Sequence, residues 1–135
     1  VPLFVFDAGY DAAGLTHGLS DTRAEVLVRI AETRVFHPDP PARNATTMGR
    51  PRRHGARFVL SDPGTWTPPD ATAHLFNPRY GRIAVSVWHN LHPKLHGRGR
   101  WKGKDLPPIV RASVLRVDVE HLPKATARGN KTLWL

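Results

Sequence analysis

The run Leu3-Phe4-Val5-Phe6, closed by Asp7 and followed by the small residues Ala8 and Gly9, restricts this chain more than any other stretch. Apolar residues in unbroken succession predict a short strand buried on both faces, as inside a parallel sheet. The small residues behind Asp7 let the chain turn sharply, and residues 11–19 can then wind into a short helix with Leu15 and Leu19 on one face. Val26-Leu27-Val28 with Ile30 is β-branched enough for a second buried strand. Strand, short helix and strand make a βαβ unit, with a helix near the minimum for a crossover. In open α/β sheets, ligands and metals gather at the carboxyl ends of the strands. An Asp at that position can present a carboxylate to a divalent metal from a fixed backbone. It can equally cap the helix that follows, a job Asp11 could also do.

Further along, Val35 and Phe36 predict a short strand that ends before Pro38, Pro40 and Pro41. Residues 58–60 read as a strand, Asp62-Pro63-Gly64 as a turn, and Trp66 as a ring packed on the surface of a core. Residues 73–76 are a strand candidate. After the Tyr80-Gly81 turn, residues 82–88 form a clearer strand, with Ile83, Val85 and Val87 predicted to make its buried face. The longest strand signal covers residues 109–120. Strict alternation from Leu115 to Glu120 puts Asp118 and Glu120 on a polar, half-exposed face beside Arg116, as surface ion pairs rather than a metal-binding carboxylate pair. Residues 131–135 begin another strand. Thirteen prolines and eleven glycines favour turns over long helices. The predicted fold is α+β: a small βαβ element over residues 1–37, then a mainly antiparallel β-sheet region with long loops over residues 38–135.

A net charge of +9 favours a polyanionic partner, nucleic acid before a membrane surface. Arg50, Arg52, Arg53 and Arg57 fall together in residues 49–57, where Pro and Gly keep the chain extended. Such a segment can spread its guanidinium groups along a phosphate backbone, or stand as a solvated loop. Lys94, Arg98, Arg100, Lys102 and Lys104 form a second basic cluster around Trp101. That ring either stacks on a base or folds back onto the protein. His89, His92 and His96 invite a zinc reading, but Pro93 interrupts the helix it would need and no fourth ligand is apparent, so zinc is rejected. No apolar run approaches the ~20 residues that span a bilayer. With no cysteine there are no disulfides or thiolate sites, and a cytoplasmic setting is expected. No haem, nucleotide or flavin cofactor is expected. The chain opens at Val1 without a methionine and stops inside Leu133-Trp134-Leu135, which reads as a piece of something longer.

Phe4-Val5-Phe6-Asp7-Ala8-Gly9-Tyr10-Asp11, Gly49-Arg50-Pro51-Arg52-Arg53-His54-Gly55, Leu91-His92-Pro93 and the VLRVDVEHL of residues 114–122 come in that order. The combination resembles the DDE superfamily of bacterial insertion-sequence transposases over nearly the whole chain. The resemblance implies DNA cutting and joining by an RNase H-like core in which three acidic residues bind two divalent metals, Mg2+ or Mn2+. Asp7 matches the second of those acids, and the β-rich remainder resembles an insertion that some of these enzymes carry before the final Glu. The first Asp would lie upstream of Val1 and the Glu downstream of Leu135, on a helix.

Phosphodiester displacement by this route needs two cations about 3.5–4 Å apart flanking the phosphate. Asp7 alone cannot hold such a pair, and Asp118 and Glu120 sit in a strand pattern rather than the helical one of the Glu motif. This polypeptide by itself is therefore expected neither to cut nor to join DNA. A basic β-rich nucleic-acid-binding module without catalysis is the alternative, and a nuclease using Asp7 with Asp118 or Glu120 is a third reading. Unpaired sheet edges make self-association an expectation as well.

Overall fold

In the computed structural model, which describes residues 1–103, 106–124 and 129–135, strand β1 (Leu3–Phe6) runs parallel to β2 (Glu25–Val28) and helix α1 (Ala12–Gly18) makes the crossover. Asp11 starts that helix. Its carboxylate accepts a hydrogen bond from the Gly14 N–H, satisfying one of the donors a first turn leaves over. Phe6 pairs with Val28, and the Arg29 N–H donates to the Phe6 carbonyl, so the residues after both strands emerge side by side.

The expected burial of β1 is corrected. Leu3, Phe4 and Val5 are 55%, 49% and 67% exposed. β1 has β2 as its strand neighbour and α1 packs against β2, so no layer of described residues lies over β1. An unbroken apolar run signals a strand suited to being covered; it does not supply the cover.

The rest of the chain builds one antiparallel sheet from β3 (Val35–His37), β4 (Phe58–Val59), β5 (Ala71–Asn77), β6 (Gly81–Pro93), β7 (Ala112–Val119) and β8 (Thr132–Trp134). The strand order is β4-β3-β6-β7-β8, with β5 also paired to β6. An isolated bridge between Ile30 and Trp134 ties the βαβ unit to this sheet. The fold is thus α+β and mostly antiparallel, as expected. Among the described residues no helix is long and apolar enough to cross a membrane.

One irregularity creates the core. Trp88 pairs with Val114 and Leu91 with Ala112, so β6 carries one residue more than β7 between these points, and Asn90 there has a φ of 57°. The bulge shifts the side-chain phase and brings Trp88 and Leu91 to the same face, where strict alternation would separate them. They join Phe36, Phe58, Leu60, Val114 and Trp134 in the buried cluster, with Ile30 and Trp66 packed against it. Trp66 sits where the sequence suggested. The indole N–H groups of partly buried Trp66 and buried Trp88 donate to the carbonyls of Val59 and Thr67, so neither ring packs with an orphaned donor.

This core occupies the face opposite to the one expected. Ile83, Val85 and Val87, opposite Val119, Val117 and Leu115, are only half-buried. The supposedly polar side of β7 faces the tryptophans instead: Arg116 is paired in register with Trp134 and its guanidinium lies 4.9 Å from the Trp66 ring centre. Asp118 makes the expected ion pair with Arg116 at 3.1 Å. Glu120 does not. Its carboxylate accepts from the Arg82 backbone N–H at 2.8 Å, and that bond holds its pKa below the ordinary carboxylate value. Alternation separated the two faces correctly, but aromatic volume decided which was buried.

Candidate functional site

Asp7 follows β1 at the carboxyl tip of the parallel pair. Its Oδ1 accepts from the Ala8 N–H at 2.7 Å and lies 3.5 Å from Arg29 Nη1, and its side chain is 80% exposed. Since Asp11 caps α1, Asp7 does not serve as the helix cap. Gly9, Tyr10, Asp11, Arg29, Ile30 and Arg34 line a shallow depression next to this tip. Arg29 was not foreseen as part of the site, although a signal existed. In a parallel pair of equal strands, the first charged residue after one apolar run is carried opposite the first charged residue after the other.

The described residues do not complete a metal centre. No group of three His, Cys, Asp or Glu among them could hold a metal ion. Asp118 also accepts from the Thr132 hydroxyl at 2.6 Å, besides its pair with Arg116, and Glu120 is bound to the Arg82 N–H. Both acids are committed within the antiparallel sheet, so nothing joins them to Asp7. A two-cation site does not fit the described residues by themselves.

The basic residues divide into anchored and open groups. Arg53 is half-buried and donates from Nη2 to the Pro107 carbonyl at 2.5 Å, tying the first basic segment to the end of the second. Arg100 donates from Nη1 to the Gly14 carbonyl at 3.0 Å, and its Nε lies 3.9 Å from Asp11 Oδ2. A Cβ on Gly14 would come within 2.8 Å of Arg100 Nε, so the glycine makes room for this contact. The second segment is thereby fastened to the start of α1, directly after the turn that carries Asp7. Arg50, Arg52, Arg57, Lys94, Arg98 and Lys102 are exposed, and among the described residues no partner holds their side chains. Lys104 lies outside the described residues. Trp101 is 6% exposed with its ring 5.2 Å from that of His17, so of its two readings the ring folds back onto the protein.

The structure separates the histidines of the rejected zinc reading. His89 Nδ1 meets the Ser113 hydroxyl at 2.7 Å, and His96 is exposed. His92 joins a different set. β3 pairs His37 opposite His92, and His54 Nδ1 lies 2.9 Å from His92 Nε2. His37 Nδ1 contacts the Gly55 carbonyl at 3.0 Å. Buried His92 has its Nδ1 3.6 Å from Asp39 Oδ1, and the Asp39 carboxylate accepts from Arg111 at 3.0 and 3.2 Å. Burial, then neighbouring cations and imidazoles, hold His54 and His92 below the ordinary histidine pKa. These histidines lie on a strand end, in a loop and beyond a bulge, and no sequence spacing links them.

Residues 1–94 match the family described as DDE superfamily endonuclease. No curated protein matches the chain, and no solved structure does.

Proposed function

The chain belongs to the DDE superfamily of endonucleases, and from that premise we propose that it is part of a bacterial insertion-sequence transposase that cuts and joins DNA ends by phosphodiester transfer. Family membership implies DNA as the substrate and a general requirement for divalent metal. The observation that carries the finer reading is Asp7, an exposed carboxylate at the carboxyl tip of a parallel βαβ unit inside the matched region. In this reading Asp7 is one acid of the family's metal-binding set, Mg2+ or Mn2+ being the metal. Residues 1–37 belong to an RNase H-like core, and residues 38–135 form the β-rich insertion.

The open cations Arg50, Arg52, Arg57, Lys94, Arg98 and Lys102 contact phosphates in this proposal, while Arg53 and Arg100 hold the two segments in place. Lys104 is assigned to the same phosphate-contacting group from its sequence neighbourhood. Because the acids among the described residues are not assembled around Asp7, the polypeptide by itself leaves DNA intact. Open strand edges at β1 and β5 are the proposed route to self-association.

Plasmid DNA incubated with the protein and magnesium tests the assignment. Salt-sensitive binding without strand breaks is expected. Nicking that disappears in Asp7→Ala would show instead a self-sufficient nuclease. A binding module without any tie to transposition is favoured by the open cations alone; a magnesium affinity indifferent to Asp7→Ala would support it.

A further inference from the structure

We propose that the His54–His92 hydrogen bond is a latch that seats the arginine loop on the sheet, and that the loop is released when this imidazole pair takes up its second proton. Residues 38–57 leave β3 and return to β4, and the returning end is held at a few points. The Gly55 N–H donates to the Pro38 carbonyl at 2.8 Å, the Gly55 carbonyl meets His37 Nδ1, and His54 meets His92. The approach is close: a Cβ on Gly55 would lie 2.7 Å from the Asp39 carbonyl oxygen.

A nitrogen–nitrogen contact of 2.9 Å needs one proton between the rings, one nitrogen donating and the other offering a bare lone pair. The Asp39 carboxylate beside His92 Nδ1 favours the proton at that nitrogen. His92 Nε2 is then the acceptor and His54 Nδ1 the donor. A first added proton goes to His54 Nε2 and keeps the bond, now charge-assisted. A second must go to His92 Nε2. It sets two N–H groups against each other and places a charge on a fully buried ring.

The surroundings make that second charge unwelcome. Facing the pair are His37 from β3, Arg53 in the loop, Lys94 just after β6 and Arg111 just before β7; Asp39 supplies the negative charge and already binds Arg111. Folded-state protonation of His54 and His92 is thus disfavoured relative to the unfolded chain. The seat is intact above the ordinary histidine pKa of about 6.5. It is lost as the pH falls below that value through the lowered steps of the pair. At neutral pH the backbone that carries Arg52 and Arg53 is seated on the sheet by the histidine pair as well as by the Arg53–Pro107 bond; after the second step the histidine seat is gone and the Arg53–Pro107 bond remains.

Amide hydrogen exchange without DNA, followed from about pH 7.5 down to about pH 5, reads the latch directly. The Gly55 amide should lose protection in step with the second imidazole titration seen by NMR, while Leu115 and Val119 in the sheet stay protected. In His54→Gln the side-chain amide can turn its oxygen toward a protonated His92 Nε2, so the clash of two N–H groups does not arise and the loss of Gly55 protection at that step should vanish. Protection of Gly55 that persists through both titrations, or an unchanged step in His54→Gln, would overturn the proposal. The link to DNA rests on the phosphate-contact reading and has its own arm, binding to a duplex at fixed salt across the same pH range. Affinity that ignored a demonstrated opening would refute that reading while establishing the latch.

Discussion

Asp7 and Arg29 stand across the carboxyl tips of a parallel strand pair, carboxylate and guanidinium 3.5 Å apart and both open to solvent. The register that aligns Phe6 with Val28 puts them there. The contact orients the acid without consuming it, because water reaches most of the Asp7 side chain. An exposed pair of this kind is worth little to stability. Arg29→Ala should lower the unfolding free energy by less than about 1 kcal/mol in urea denaturation. A loss of several kcal/mol would mean that the pair pins the strand tips together.

The anchored and open arginines should behave differently. Replacing Arg52 with Ala should weaken DNA binding about equally for all sequences, reduce the salt slope by about 1, and leave stability unchanged. Arg53→Ala removes the bond to the Pro107 carbonyl and should also cost about 1–3 kcal/mol of stability. Salt-dependent duplex binding and denaturant melts on the two variants make the comparison, and identical profiles would contradict the division.

Gly55 tests the close approach of loop and sheet. Gly55→Ala forces a methyl group against backbone oxygen and should destabilise by about 1–3 kcal/mol. Gly9→Ala meets nothing within 4 Å and should change stability far less. Thermal denaturation of both variants checks the contrast.

Trp88 tests the core placement. It is 4% exposed and touches Phe58, Trp66 and Trp134. Trp88→Ala should cost about 3–5 kcal/mol, and Leu3→Ala on exposed β1 much less. Equal losses would show that β1 is covered in solution, as its apolar run first suggested.

The local rules read well from the sequence. The βαβ order, the Asp11 cap, the β3 and β7 strands and the packing of Trp66 follow from apolar runs, turn residues and alternation. What stayed hidden depends on contacts between segments far apart in the chain. The bulge at Asn90 reverses the phase of β6, so Leu91 and Trp88 share a face where periodicity would set them on opposite ones. The histidine array needs the register of His37 with His92 and the return path of a long loop. Charge clustering found the basic segments, but which arginines are anchored depends on carbonyl groups at Gly14 and Pro107.

DNA affinity measured as a function of salt tests the central claim, that this chain meets DNA through open cations on its phosphate backbone. The logarithm of the binding constant should fall linearly with the logarithm of salt concentration, with a slope of about −0.9 for each phosphate neutralised. An affinity that does not change with salt would contradict it.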